Sequence, residues 1–399
     1  MKVRSKPFPP YPVLPNECKD YVGDIIKSGK LSGFTGTVEG HKGGKYVQEL
    51  ESVIRDYFGT KYAITFNSAT SALHAAVIAC GVKLGDEVIC SPYTFSASAS
   101  CVLQANAIPV FIDVTDDTFC IDTALLERAI SPLTKAIIPV HLCGHPADMD
   151  EVMRIAKKHH LKVIEDSCQA IGAMYNNQYT GTIGDCGIFS FNQSKTISTG
   201  EGGVLVTDDD NIAEIAMAVR NHGEVSAQHL GVIGWNYRMT EYTAVMALLQ
   251  FRHLDKWNDK RIQLTSYLTD KLYRISGITP PVTKPDCKHV FYTYAMKYDE
   301  SIIGMPRDTF QDLMMKQGIY VGKGYVMPLY LLPIYNEKRP EIYKYYKGNA
   351  RYGAGLCPVA ERMWKKELMV TDIVRPQLDW KDVDDIVKAM EVVIRNARR

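Results

Sequence analysis

Lys162-Val163-Ile164-Glu165-Asp166-Ser167-Cys168-Gln169 runs from β-branched apolar residues into two acids and a polar pair, and short runs of this kind recur between about residues 60 and 207. The others are Tyr62 to Phe66, Glu87 to Cys90, Pro109 to Val114, Ala136 to Val140, Gly187 to Phe191 and Gly203 to Val206. Each is too short for a helix, and segments of helical period separate them. The alternation predicts an α/β fold, a mostly parallel sheet of seven strands with helices on both faces.

Punctuation between the runs agrees with helical connectors. Ser71 to Cys80 reads as a helix closed by Gly81, and Asp148 opens one with Val152, Ile155 and Ala156 on one face. From Thr240 a helical pattern passes through Met246, Leu249, Leu254 and Trp257 toward Leu268 without proline or glycine until Gly277. It predicts one long helix bridging two domains. Beyond it Tyr292 to Met296 reads as a strand and Asp308 to Gln317 as a helix capped by Gly318. Val383, Ile386, Val387, Met390, Val393 and Ile394 form a last helical stripe. A chain of 399 residues exceeds one ordinary core. The expected division is a proline-rich N-terminal arm over 1–15, a large domain over 16–255 and a smaller α+β domain over 256–399.

Lys and Arg number 46 against 45 acids, so bulk charge favours neither nucleic acid nor an anionic membrane as partner. No signal-like or membrane-length apolar stretch is evident, and a soluble cytoplasmic protein is expected. Ten cysteines stand singly, with no C-x-x-C pair and no zinc spacing. Reduced thiols and no metal site are expected.

The chemistry gathers around Lys195, in Phe189-Ser190-Phe191-Asn192-Gln193-Ser194-Lys195, with Thr199-Gly200-Glu201-Gly202-Gly203 behind it. An amine, an upstream carboxylate and a serine five residues before the amine are the parts that hold pyridoxal phosphate, PLP. Lys195 supplies the amine for the cofactor's aldehyde and then a proton carrier. Asp166 ends its strand on the rim where ligands of parallel sheets collect, and an acid there keeps the pyridine nitrogen protonated. Glu165 competes for that role. Gln169 is a candidate donor to the phenolic oxygen, or simply a polar helix residue. Ser68, Ala69 and Thr70 open a helix whose N–H groups attract phosphate, although such residues also cap many helices. Ser190 adds a second hydroxyl or is a satisfied strand residue, and Phe95 offers a flat face for the ring or is a core aromatic. His141 ends another strand and is a candidate contact to substrate or cofactor, with a structural histidine an equal alternative; His145 and His222 are weaker candidates.

These residues resemble the DegT/DnrJ/StrS aminotransferases, PLP enzymes of fold type I that aminate keto sugars and cyclitols. The likeness runs from Gly43-Gly44-Lys45-Tyr46-Val47-Gln48-Glu49-Leu50-Glu51 through Gly85-Asp86-Glu87-Val88, Pro139-Val140-His141, Glu165 to Gln169, Phe189-Ser190-Phe191 and Thr199 to Gly203. It implies Lys195 as the cofactor-linking amine, Asp166 at the pyridine nitrogen, Gln169 near the ring oxygen and Phe95 on the ring. It places Ala69, Thr70 and Ser190 at the phosphate. It also implies Asn236, in Gly234-Trp235-Asn236-Tyr237-Arg238, reaching the phosphate of a second copy, hence a homodimer with shared sites. Some members carry histidine for the lysine and are dehydratases; Lys195 favours transamination. Gly324-Tyr325-Val326-Met327-Pro328-Leu329-Tyr330-Leu331-Leu332-Pro333 looks more like the cyclitol and aminoshikimate branch, and Tyr325 is read as a substrate contact.

The activity implied is transfer of an amino group from L-glutamate or L-glutamine to the ketone of a keto sugar, with a nucleotide-linked deoxysugar preferred. Alternatives are a cyclitol or aminoshikimate-type aminotransferase, a PLP-dependent dehydratase and a non-catalytic regulator. Acceptor choice is expected from the loops Leu31 to Gly43, Glu224 to Gly234 and Gly322 to Tyr335.

Overall fold

Strand and helix alternate along the chain as the apolar pattern requires, and the computed structural model describes residues 2–12, 14–35, 40–226 and 228–397. The main sheet is built from Tyr62–Phe66 (β1), Glu87–Cys90 (β2), Ile108–Phe111 (β3), Thr134–Ile138 (β4), Lys162–Asp166 (β5), Cys186–Ser190 (β6) and Gly203–Thr207 (β7). Its spatial order is β1-β7-β6-β5-β4-β2-β3. Neighbours from β6 to β3 pair in parallel, and β7 alone runs antiparallel to both its neighbours. The mostly parallel seven-stranded expectation therefore holds. β2, β6 and β7 are buried along their whole length, as strands covered on both faces must be.

Helices cover the sheet closely where side chains are small. Ala69–Ala79 lies against it with Ala72, Ala75 and Ala76 fully buried, and Gly81 follows in the left-handed region. Asp148 caps Met149–His159 by accepting the Glu151 N–H. The run expected from Pro109 to Val114 ends its ladder at Phe111, because Val114 turns away to bridge Ile121.

The expected single helix after Thr240 is two, Glu241–Phe251 and Leu254–Leu272, broken at Arg252 and His253. No proline or glycine marks the break. Phe251 and Leu254, on either side, both pack into the cluster around Phe58 and Phe189, so tertiary packing sets the bend.

A second, antiparallel sheet follows, made of Ile278–Thr279 (β8), Tyr294–Tyr298 (β9), Gly322–Lys323 (β10) and Leu368–Thr371 (β11) in the order β8-β9-β11-β10. Its core joins Leu264 and Leu268 to Val383, Ile386, Met390 and Val393 of the last helix, Trp380–Ala397. Between these, Leu329, Tyr330, Tyr335, Cys357, Ala360 and Met363 return to the core of the main sheet.

The N-terminal arm is anchored. Arg4 pairs with Asp382 and Asp385 at 2.7 and 2.9 Å, and its N–H donates to the Gln317 carbonyl at 3.0 Å. Gly318 has φ +89°, and a Cβ there would sit 2.2 Å from the Arg4 oxygen. Met1 and Val13, within the expected arm, lie outside the described residues.

Candidate active site

The carboxyl ends of β1, β5 and β6 open onto one cavity of about 550 Å³. Ser68, Ala69, Thr70, Phe95, Asp166, Gln169, Ser190, Lys195 and Tyr325 all line it. Parallel strands carry their following loops to the same edge, which is why residues so far apart in sequence meet.

Lys195 stands on the irregular stretch between β6 and β7. Its N–H donates to the Asn192 carbonyl at 2.8 Å, and Gly200, at φ +84°, turns the chain back toward β7. The ammonium lies 4.2 Å from the centroid of the Tyr292 ring, whose hydroxyl bonds Ser194 at 2.8 Å. A cation over an aromatic face is held without being neutralised.

Asp166 is 5% exposed. Its Oδ2 accepts the Ser98 hydroxyl at 2.6 Å and its Oδ1 the Cys168 N–H at 3.2 Å, leaving the carboxylate at the cavity wall fixed in direction. The Thr94 hydroxyl bonds Ser98 in turn, at 3.1 Å.

Ala69–Ala79 begins at the cavity. Ser68 Oγ accepts the Ser71 N–H at 3.1 Å, so its hydroxyl caps the helix. The N–H groups of Ala69 and Thr70, in the first turn, have no carbonyl a turn earlier to bond and form an anion-binding end. A Cβ on Gly203 would lie 2.5 Å from Ala69 N, so only glycine lets β7 press against this helix start. Ser190 Oγ, beside it, accepts the Asn192 N–H at 3.3 Å.

Gln169 is oriented by two bonds, its Oε1 accepting the Cys143 N–H at 2.8 Å and its Nε2 donating to the Tyr325 hydroxyl at 3.0 Å. Tyr325 is held in turn by its N–H on the Tyr93 hydroxyl at 2.8 Å. Phe95 is 59% exposed on the cavity wall, an uncovered flat face.

Other expected residues fall elsewhere. Glu165 is fully buried and accepts the N–H groups of Gly181, Ile183 and Gly184, so it is not the cavity acid. His141 is corrected as a substrate contact. It too is fully buried; Nδ1 accepts the Ala147 N–H at 3.0 Å and Nε2 donates to Glu165 at 2.9 Å, leaving neither ring nitrogen for a ligand. His145 is 2% exposed and bonded to Pro146 and Lys284, and His222 is exposed outside the cavity. Asn236 is exposed, lies outside this chain's own cavity and bonds Arg238 at 3.0 Å. Of the loops expected to choose the acceptor, residues 36–39 and 227 lie outside the described residues.

Sequence reading missed Ser98, Thr94, Tyr93 and Tyr292. Ser98, Tyr93 and Tyr292 matter through partners distant in the chain and Thr94 through Ser98, so no local spacing announces them.

The donor set suits PLP. One amine, one buried and oriented carboxylate, a helix N-terminus pressed close by Gly203 and an open aromatic face surround a cavity of cofactor size. Among the described residues no cluster of His, Cys, Asp and Glu could hold a metal ion. No described helix is long and apolar enough to cross a membrane.

Comparison with known proteins places this geometry in context. Residues 30–391 match the DegT/DnrJ/EryC1/StrS aminotransferase family. GDP-perosamine synthase of Caulobacter vibrioides is 38% identical over 68% of this chain and 74% of its own. The UDP-N-acetyl-3-dehydro-alpha-D-glucosamine 3-aminotransferase of Acidithiobacillus ferrooxidans is 35% identical over 82% and 83%. An aminotransferase structure from Psychrobacter cryohalolentis superposes with a TM-score of 0.87 at 28% identity, over 98% of this chain and 100% of the other.

Two outcomes follow from the buried polar groups. Glu165→Ala strands three backbone N–H donors and His141, and should cost about 3–5 kcal/mol of stability; an unmoved urea midpoint would refute this accounting. Burial lowers the His145 pKa from 6.5 to about 4. The folded state resists protonation there, so stability is full above 6.5 and falls as pH drops toward about 4. Urea midpoints at about pH 7 and about pH 5 should differ less in His145→Gln than in the unaltered chain.

Proposed function

Because the chain belongs to the DegT/DnrJ/EryC1/StrS aminotransferase family, we propose that it carries the amino group of L-glutamate or L-glutamine to the ketone of a nucleotide-linked keto sugar, using PLP. One observation carries the reading: the Lys195 amine and the Asp166 carboxylate share one cavity with the start of the helix Ala69–Ala79. The nucleotide-sugar preference rests on relatives whose names carry a nucleotide-linked sugar.

PLP, when bound, supplies an electron-withdrawing ring that stabilises charge at a donor's alpha carbon. The protein's part is orientation and proton movement. Asp166, directed by Ser98 and Cys168, would hold the pyridine nitrogen of bound PLP and favour its protonated form. Lys195, with its amine in the cavity, would serve as the proton carrier there, general base and then acid. Ala69, Thr70 and Ser190 would hold the phosphate, Gln169 the ring oxygen and Phe95 the ring face. Tyr325, bound to Gln169 and lining the same cavity, is assigned to the substrate. The exposed Asn236 is assigned to the phosphate of a second copy, making the working unit a homodimer.

Protein supplied with PLP should show an absorbance band that moves on adding L-glutamate, and Lys195→Ala should abolish it and lower turnover at least about 100-fold. A new amine should appear on a nucleotide-linked keto sugar only with an amino donor present. A dehydrated product lacking nitrogen would overturn the assignment.

A further inference from the structure

Lys195 sits on a stretch with neither helix nor strand, so no helical turn or strand ladder holds its carbonyl. Its carbonyl accepts a hydrogen bond of 2.6 Å from the Tyr11 hydroxyl. That donor comes from the N-terminal arm, 184 positions away. The next residue is held as well, for Thr196 Oγ1 accepts Nη1 of Arg261 at 3.0 Å. Arg261 is 2% exposed, and the Arg375 guanidinium covers the Tyr11 ring at 4.6 Å.

We infer that Tyr11 is a positioning residue of the reaction, fixing the backbone pivot from which the Lys195 amine swings. The inference rests on the reading of Lys195 as the reactive amine. A lysine that first links to a cofactor and then acts free as a proton carrier changes side-chain position during turnover. Its Cα has to stay where it is. The Asn192 carbonyl holds the N–H of Lys195 at 2.8 Å, and Tyr11 holds its C=O. With both ends of the residue tied, rotation is confined to the four methylenes, and a shift of about 1 Å at the reacting atom is costly.

The arm is suited to this task because it is anchored before it reaches the site. Arg4 is 6% exposed and paired with Asp382 and Asp385, and its guanidinium stacks on Phe8 at 3.9 Å. Burial raises the Tyr11 pKa, with Arg261 and Arg375 opposing, so the hydroxyl keeps its proton at neutral pH and remains a donor.

Tyr11→Phe removes this donor and keeps the ring under Arg375. Two measurements are made. In cofactor-free protein, amides 193–199 should exchange with deuterium faster in the variant, while those of Ala69–Ala79 stay as they were. In PLP-loaded protein, the absorbance change on adding L-glutamate should slow by about 10-fold or more. The pH midpoint of the absorbance band should also shift. Faster exchange with unchanged rate and midpoint would reduce Tyr11 to a stabilising contact and overturn the proposal, as would unchanged exchange. Absence of a borohydride label on Lys195 in the unaltered, PLP-loaded chain would remove the reading beneath it, a failure visible before any variant is made.

Discussion

Adjacent residues of a strand point to opposite faces, and this alternation gives the two acids that end β5 different fates. Glu165 turns into the protein, where three backbone N–H groups and the His141 ring surround it. It thereby ties down the turn at 181–184 that leads into β6 and on to the lysine. Asp166 turns toward the cavity, where Ser98 and Cys168 direct it. One acid shapes the path of the chain that carries the amine, and its neighbour confronts the cavity that the amine enters. Exchange of the two faces by a slip of one residue would leave neither group with its donors.

The same edge of the sheet supplies the anion-binding end. Gly203 starts β7 with no side chain, and the helix from Ala69 can then approach to backbone contact. That contact couples the returning strand, immediately after the lysine stretch, to the first turn of the helix after β1. The amine and the helix N-terminus are therefore set relative to one another by two backbones rather than by flexible side chains.

Much of this was legible in the amino-acid order. Short β-branched runs located all the strands of the main sheet, because burial on both faces demands such residues. Asp166 and the Ser68-Ala69-Thr70 turn were readable because each sits at a strand end, where a parallel sheet gathers ligands, and Lys195 because it lies between a buried strand and a glycine-rich run. What escaped depends on distant partners. Ser98 orients an acid 68 positions away, and the bend at Arg252–His253 is set by packing around Phe58 and Phe189 without any breaker residue. His141 misled for a related reason. Its place at a strand end resembles that of Asp166, but its ring is spent on Glu165 and Ala147.

The arm that ends at Lys195 has a consequence for how the chain matures. Arg4 finds its acidic partners 378 and 381 positions later, beyond every strand of both sheets. During synthesis the amino-terminal residues must wait, unpaired, while the intervening polypeptide emerges from the ribosome. The lysine stretch can acquire its neighbours from β6 and β7 early, yet the anchored arm that reaches its carbonyl is complete only after residue 385 has been made. The contacts that anchor the arm beside the cavity thus close only once Asp382 and Asp385 are available.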